Sequence, residues 1–154
     1  MSSRDVLPFE FTLRVRDACL CLHMQRAARA LARHFDEAFR PLGLTNGQFS
    51  LMISLNRPHP PVMGEVAAVL GLDRTTLTAA LKSLQRRGLV EVRANEKDKR
   101  SRHLIVTPAG RALLAEAYPL WKIAQAEIEG RLAALDPDRL RAGLLRLAFD
   151  EREE

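Results

Sequence analysis

Hydroxyl and cationic side chains share one face of a helix predicted over residues 73–87. Successive residues of a helix advance by about 100°, so residues three or four apart lie on one side. The face consists of Thr75, Ala79, Lys82 and Arg86, with Thr76, Thr78 and Ser83 at its margins. Hydroxyls can bond to phosphates or base edges, a methyl group can approach that of thymine, and cations neutralise phosphates. The face predicts contact with nucleic acid, although a solvated amphipathic helix gives the same pattern.

The rest of this helix carries the apolar residues that hold it in place. Leu77, Leu81 and Leu84 lie opposite the polar face and predict packing against a core. A short helix is expected over residues 62–70, closed by Gly71, after which Asp73 caps the next helix. Helix, tight turn and helix in this order predict a helix-turn-helix, whose second helix enters the major groove.

A basic hairpin is predicted directly after that helix. Residues 89–93 and 102–106 are typical of strands, and a polar segment separates them. The hairpin cations are Arg93, Lys97, Lys99, Arg100 and Arg102, against Glu96 and Asp98. A narrow basic loop can reach phosphates or a minor groove. A solvated charged turn is the alternative interpretation, which the preceding helix pair disfavours.

Long helices are expected on both sides of this unit. One helix is predicted from Phe11 to Arg40, because no Pro or Gly interrupts it, and another from Thr107, with a last one after Pro137. Their apolar stripes exceed what so small a core can bury, so we expect a homodimer. Its twofold symmetry predicts a pseudo-palindromic DNA site. Packing within a single chain is the alternative.

The composition excludes several classes of protein. The chain has 154 residues, a formal net charge of +5 and 47% apolar residues, as expected for one folded domain. It has no long apolar run and no secretory leader, so it is expected in the cytoplasm, away from membranes. Because it lacks nucleophile-elbow, phosphate-loop and zinc-helix motifs, we expect neither an enzyme nor a cofactor or metal. A helical protein-interaction module remains the rival to DNA binding.

The arrangement resembles the winged helix-turn-helix of the MarR family, mainly α-helical with a small β-hairpin wing. The resemblance is strongest at Asp98-Lys99-Arg100-Ser101 and at Leu104-Ile105-Val106-Thr107-Pro108-Ala109-Gly110, and extends to Thr75-Thr76-Leu77-Thr78. It implies a single domain over residues 1–154, with dimerisation helices in 11–40 and 111–151 around a winged lobe in 44–107. It also implies a transcriptional repressor in which Arg100 reaches DNA from the wing, Asp98 orients Arg100, and Arg74, Thr75, Thr76, Thr78 and Lys82 face the DNA.

The signal that releases the DNA is less specific in the sequence. Cys21 resembles the reactive cysteine of the family's organic-peroxide-sensing branch, but Gln25 stands where that branch has a tyrosine partner. Cys19 is a second redox candidate. Since residues two apart on an intact helix diverge by about 200°, any disulfide is expected between subunits or with a small thiol. The alternatives are a structural role for the cysteines and, from the resemblance, a small aromatic or lipophilic acid near Trp121.

Overall fold

The computed structural model describes residues 7–148. Both ends of the predicted domain, including residues 149–151 of the predicted dimerisation segment, lie outside the described residues. The described part forms, in order, α1 (Phe9–Ala18), α2 (Leu20–Phe39), a 3-10 turn (Arg40–Leu42), α3 (Asn46–Leu55), α4 (Met63–Leu70), α5 (Arg74–Arg86), β1 (Val90–Ala94), β2 (Arg102–Val106), α6 (Pro108–Gly130) and α7 (Pro137–Ala148). The predicted winged helix-turn-helix with flanking helices is confirmed.

One apolar core joins the end of α2 to the helix-turn-helix and the wing. Phe39, Met52, Leu77 and Leu104 come from α2, α3, α5 and β2, and each is fully buried. Burying side chains of this size removes most of their apolar surface from water and stabilises each by about 1.5–3 kcal/mol. The core therefore fixes α5 on the rest of the lobe through its leucine face.

Side-chain caps and a left-handed glycine set the helix boundaries. Thr45 and Gln48 form a reciprocal capping box at the start of α3. Gly71 ends α4 with a φ of 63°, a left-handed conformation that other residues adopt at a cost, so the chain turns sharply into α5. The Asp73 side chain then accepts a hydrogen bond from the backbone of Thr76, which starts α5. The boundaries predicted for the helices at 62–70 and 73–87 are confirmed to within one residue.

The wing is anchored at its base to the start of α4. β1 and β2 pair antiparallel, with Val90 opposite Val106. The Leu104 N–H donates to the Pro61 carbonyl at 2.9 Å, and Val62 forms an isolated bridge with His103. These bonds hold the hairpin beside α4 and α5, so the wing tip has a defined position relative to the second helix.

The N-terminal helix is not continuous, and the prediction of one helix from 11 to 40 was wrong. Cys19 has φ −72° and ψ 108°, an extended conformation that separates α1 from α2. Its N–H still bonds to the Val15 carbonyl, and its own carbonyl lies 2.8 Å from Nδ1 of His23 as α2 begins. The backbone N–H and carbonyl of Cys19 thus both keep helix-type hydrogen bonds across the break, and no Pro or Gly marks it.

The outer helices are much less buried than the core lobe. α1 and α7 contain no buried residue, and α6 packs along the C-terminal half of α2, where Nε2 of His34 lies 3.1 Å from Oε2 of Glu127. Several large apolar side chains, such as Phe9 and Leu147, are therefore mostly exposed on the isolated chain. None of the helices in the described part has the length and apolar character needed to cross a membrane.

Candidate nucleic-acid interface

The polar face of α5 points away from the core, as its spacing predicts. All seven side chains predicted on this helix are exposed, whereas Leu77, Leu81 and Leu84 are buried on the other side. The exposed residues are Arg74, Thr75, Thr76, Thr78, Ala79, Lys82 and Arg86. The structure thus brings all of them to one accessible surface.

The threonines of this surface differ in what they can donate. The Thr76 hydroxyl donates to the Asp73 carboxylate at 2.9 Å, and the Thr78 hydroxyl donates to the Arg74 carbonyl at 2.7 Å. A hydroxyl has one proton, so these two groups offer an incoming ligand their methyl groups and acceptor lone pairs. Thr75 is the threonine best placed to donate to a phosphate.

The first turn of α5 is electrostatically balanced by its cap. The backbone N–H of Thr76 and then its hydroxyl hold the pKa of Asp73 below the usual value for an aspartate. The carboxylate therefore stays ionised at neutral pH and satisfies orphan N–H groups at the positive end of the helix dipole. Arg74 follows at the first position of the helix and restores positive charge there.

The wing loop is a folded turn rather than a loose tip. Asn95 and Ser101 close it through a side-chain bond of 2.9 Å and a backbone bond of 3.2 Å. Within it, the Asp98 carboxylate accepts from the backbone N–H of Arg100 at 3.0 Å. Asp98 thus shapes the backbone that carries Arg100, while Lys97, Lys99, Arg100 and Arg102 remain exposed.

A cleft of about 730 Å³ separates α5 from the wing, and some of the predicted DNA-binding residues line it. Its lining includes Arg74, Thr78, Gln85, Asp98, Arg100 and Arg102, with Met63 and Gly64 of α4. Thr75, Ala79, Lys82 and Arg86 lie on the adjoining outward face and do not line it. Gln85 also lines the cleft and was not predicted, although it follows Thr78 by seven residues, or two helical turns.

Charge is concentrated in this region. Residues 74–102 contain nine basic and three acidic side chains, although the whole chain has a net charge of only +5. Arg93 is partly offset, since it pairs with Glu91 at 2.7 Å. Arg87 is structural, because its guanidinium donates to the Gly43 carbonyl at 2.9 Å and joins the end of α5 to the turn after α2. No cluster of three metal-ligating side chains occurs among residues 7–148.

The two thiols lie outside this interface, on either side of the α2 start. Cys21 is exposed, and Cys19 is partly buried at the helix break. Nε2 of Gln25 donates to Sγ of Cys21 at 3.3 Å, one turn along the helix. Gln25 therefore contacts Cys21 from the position at which the sequence has no tyrosine.

These features define a winged-helix DNA-binding protein: a helix-turn-helix with a basic wing, an exposed polar face on its second helix, and long flanking helices. The model of the MarR family matches residues 42–101, which span the 3-10 turn to the wing tip. The chain belongs to the MarR family and is a sequence-specific DNA-binding transcriptional regulator.

Three similar proteins agree with this conclusion. The M. tuberculosis transcriptional regulator MosR, solved in complex with DNA, is 41% identical, with 84% of this chain and 93% of that chain covered and a TM-score of 0.75. The transcriptional repressor MprA of Escherichia coli strain K12 is 27% identical over 90% of this chain and 77% of its own length. An organic hydroperoxide resistance transcriptional regulator of Bacillus subtilis strain 168 is 28% identical, covering 63% of this chain and 65% of its own length.

Proposed function

We propose that the protein is a homodimeric repressor that binds a pseudo-palindromic operator. The observation that carries this proposal is that Arg74 of α5 and Arg100 of the wing line the same cleft. The exposed polar face of α5 lies beside this cleft, and the buried leucines of α5 hold the helix on the core. In this arrangement α5 enters the major groove, while Arg100, Lys99 and Arg102 extend from the wing to the flanking phosphates or minor groove. The protein acts through DNA binding rather than catalysis, and it works in the cytoplasm.

Each part of the interface has a distinct role in this proposal. Lys82 and Arg86 neutralise phosphates, Thr75 donates to a phosphate or base edge, and Ala79 offers a methyl group to thymine. Asp98 acts as a positioning residue, since its carboxylate bonds to the backbone that carries Arg100. Phosphate contacts set the affinity and its salt dependence, whereas contacts to base edges set the sequence preference.

The test compares Arg100→Ala with Arg131→Ala, an equal loss of charge at the exposed end of α6. A dimer has two copies of each residue, so Arg100→Ala removes two phosphate contacts and lowers the log–log salt slope of operator affinity by about 1.8. Affinity at moderate salt falls by roughly ten-fold or more. Unchanged affinity and slope for Arg100→Ala, or an equal effect of both variants, would refute the wing assignment.

Dimerisation follows from the apolar side chains that one chain leaves uncovered. Leu144, Leu145 and Leu147 of α7 are 43%, 56% and 62% exposed, and Phe9 and Val15 of α1 are 71% and 61% exposed. A second copy that covers α1 and α7 removes this surface from water and sets the two α5 helices about one turn of DNA apart. Sedimentation equilibrium is the direct measurement, and a monomer at micromolar concentration contradicts this part of the proposal.

Oxidation of Cys21 is the first candidate for the releasing signal. A hydroperoxide oxidises a thiolate to a sulfenic acid and is reduced to an alcohol, after which a second thiol displaces water to form a disulfide. Cys21 is exposed, and the side-chain amide of Gln25 donates a hydrogen bond to its sulfur at 3.3 Å. Because the helix is interrupted at Cys19, the geometry of an intact helix no longer prevents a Cys19–Cys21 bond within one chain.

An apolar effector is the second candidate, because a suitable cleft lies between α3, α4 and α6. It encloses about 430 Å³ and is lined by Phe49, Ile53, Val69, Leu70, Tyr118 and Trp121, with Ser50 and Ser54. Tyr118 and Trp121 stack at a centroid distance of 5.9 Å, which offers a flat surface to an aromatic ring. A small aromatic or lipophilic acid fits a cleft of this size and character.

One experiment separates the two signals. Operator binding is titrated with and without an organic hydroperoxide, for the unmodified protein, Cys21→Ser and Cys19→Ser, and again after reduction with dithiothreitol. Loss of binding that requires Cys21 and is reversed by dithiothreitol establishes the thiol switch. Binding that is insensitive to hydroperoxide excludes that switch and leaves the apolar cleft, which is then tested with small aromatic acids and Trp121→Ala.

A further inference from the structure

The C-terminal end of α5 is tied by side chains to the turn after α2 and to α3. Arg87, the C-cap residue of α5, donates from Nη1 to the Gly43 carbonyl at 2.9 Å. The same nitrogen lies 3.5 Å from Oε1 of Gln48 in α3. Nε2 of Gln48 in turn donates to the Ser83 hydroxyl of α5 at 3.4 Å. One short bond from a charged donor and two longer bonds therefore meet at this end of the helix.

The tie occupies the flank of α5 that is turned away from the wing. Ser83 and Arg87 are four residues apart, so they project within about 40° of each other. Thr78 and Gln85, which line the wing cleft, project about 140–180° away from them. The tie and the wing cleft therefore lie on opposite sides of the helix, and the outward polar face lies between them.

The tie is the directional attachment of α5. Within residues 7–148, no other side-chain hydrogen bond joins α5 or its C-cap to another element, since those of Thr76 and Thr78 stay within the cap and the first turn. The buried leucines hold the helix by apolar contacts, which have no preferred direction. A hydrogen bond, in contrast, weakens steeply when its angle is distorted. The leucines thus keep α5 on the core, and the tie fixes the direction in which it points.

The acceptor of this tie is fixed to α2. The Gly43 N–H donates to the Arg40 carbonyl at 3.0 Å, which continues the end of α2 into the turn. The Asp36 carboxylate of α2 accepts from the backbone N–H of Asn46, the first residue of α3, at 2.6 Å. The end of α2, the turn and the start of α3 are therefore bonded to one another. A change in the direction of α2 moves the Gly43 carbonyl and, through Arg87, the end of α5.

We propose that Arg87 is a positioning residue that fixes the direction of α5 relative to α2, and thereby the separation of the two α5 helices on DNA. The inference rests on the homodimer proposed above. To reach a displaced half-site, α5 has to turn relative to α2, and the bond from Arg87 to Gly43 then breaks. Loss of a hydrogen bond from a charged group penalises the wrong spacing by roughly ten-fold. Arg87 therefore contributes to operator specificity without contacting DNA.

The test compares Arg87→Met with Arg86→Met. Both variants remove one exposed guanidinium at the end of α5 and keep an unbranched side chain, but Arg86 lies on the outward face. The unmodified protein first selects a half-site sequence from random DNA. Synthetic duplexes then carry two such half-sites at the selected spacing, or at one base pair more or less. Binding is measured by fluorescence anisotropy at several salt concentrations, and circular dichroism verifies that each variant is folded.

The two variants are expected to differ in kind. Arg87→Met reduces the preference for the selected spacing by roughly ten-fold. Its log–log salt slope stays that of the unmodified protein, because no phosphate contact is lost. Arg86→Met lowers the salt slope by about 1.8, since a dimer loses two phosphate contacts. It weakens binding to all duplexes alike, so the preference for the selected spacing is unchanged.

A second measurement needs no DNA. A nitroxide label at Ala79→Cys, in a chain that also carries Cys19→Ser and Cys21→Ser, reports the distance between the two α5 helices of the free dimer. Double electron–electron resonance gives the distribution of this distance. Arg87→Met is expected to broaden the distribution, because α5 is then free to turn on its leucine face.

Three outcomes overturn the assignment. An unchanged spacing preference or an unchanged distance distribution in Arg87→Met shows that the leucines alone set the direction of α5. A salt slope lowered equally by both variants shows that Arg87 itself binds a phosphate. If the unmodified protein binds a duplex with one half-site as tightly as a duplex with two, the homodimer proposal fails. This last result is distinct from the other two, because it is obtained without any variant.

Discussion

Thr107 joins the end of α5 to the start of α6 through one hydroxyl group. Its Oγ1 donates to the Gly88 carbonyl at the end of α5 at 2.7 Å and accepts from the Gly110 N–H in the first turn of α6 at 3.0 Å. Its backbone N–H donates to the Leu89 carbonyl at 3.1 Å, and the residue is only 8% exposed. Thr107→Val keeps the shape of the side chain and removes both hydroxyl bonds.

The expected loss of stability is worked from these two bonds. Loss of a helix N-cap costs about 1 kcal/mol, and loss of a second hydrogen bond costs about 1 kcal/mol more. A total of about 2 kcal/mol lowers the Tm of a chain of this size by roughly 4–8 °C. Differential scanning calorimetry at one fixed protein concentration measures it, because the melting point of a dimer depends on concentration.

The matched control is Thr107→Ser, which keeps the hydroxyl and loses the methyl group. It should destabilise the protein by no more than about 1 kcal/mol, the cost of one buried CH₂ group. If Thr107→Val and Thr107→Ser melt at the same temperature, the hydroxyl bonds are not what stabilises this junction, and the reasoning is refuted.

Three further predictions follow from local geometry. Gly110→Ala should destabilise the protein by about 1–3 kcal/mol in thermal unfolding, since a methyl carbon there would lie 2.3 Å from a backbone carbonyl oxygen. The control is Gly47→Ala in α3, whose methyl group would meet only Oγ1 of Thr45 at 3.9 Å and should be neutral or stabilising. The pKa of Asp73 is lower in the folded state than its unfolded value near 3.8, so the ionised carboxylate stabilises the fold at pH values above 3.8. In urea titrations, the free energy of unfolding should therefore exceed that of Asp73→Asn at neutral pH, and this difference should disappear as the pH falls through the lowered pKa. Gln25→Leu should slow hydroperoxide oxidation of Cys21 in stopped-flow measurements, and an unchanged rate excludes the amide's role.

The winged lobe was predictable because its signals are local and periodic. The spacing of the leucines in α5 indicates which face of that helix is buried. Gly71 indicates where α4 ends, and Asp73 indicates where α5 begins. The break at Cys19 was not predictable in this way, because an extended residue without Pro or Gly leaves the helical periodicity on both sides intact.

The candidate interface was predictable in composition but not in grouping. Helical spacing placed Lys82 and Arg86 on the outward face, whereas the partition of Arg74 into the wing cleft depends on how the hairpin folds back over α4. Outside the interface, Gln25 and Cys21 are one turn apart in sequence, but their contact depends on the side-chain rotamers, which the spacing does not determine. Local spacing finds which residues face outward, and tertiary packing decides which of them act together.

The length of α6 sets how strongly a small motion is amplified. This helix has 23 residues, begins at the base of the wing beside Thr107 and ends near the start of α7, so it forms a lever about 34 Å long. In the proposed homodimer, a rotation of about 5° at one end of α6 would displace the other end by about 3 Å if the helix moves as a unit through Pro119, and 3 Å is close to the spacing of one base pair along the DNA axis. Under the proposed function, a ligand that tilts α6 by a few degrees would therefore be enough to move the partner subunit's α5 out of register with its half-site.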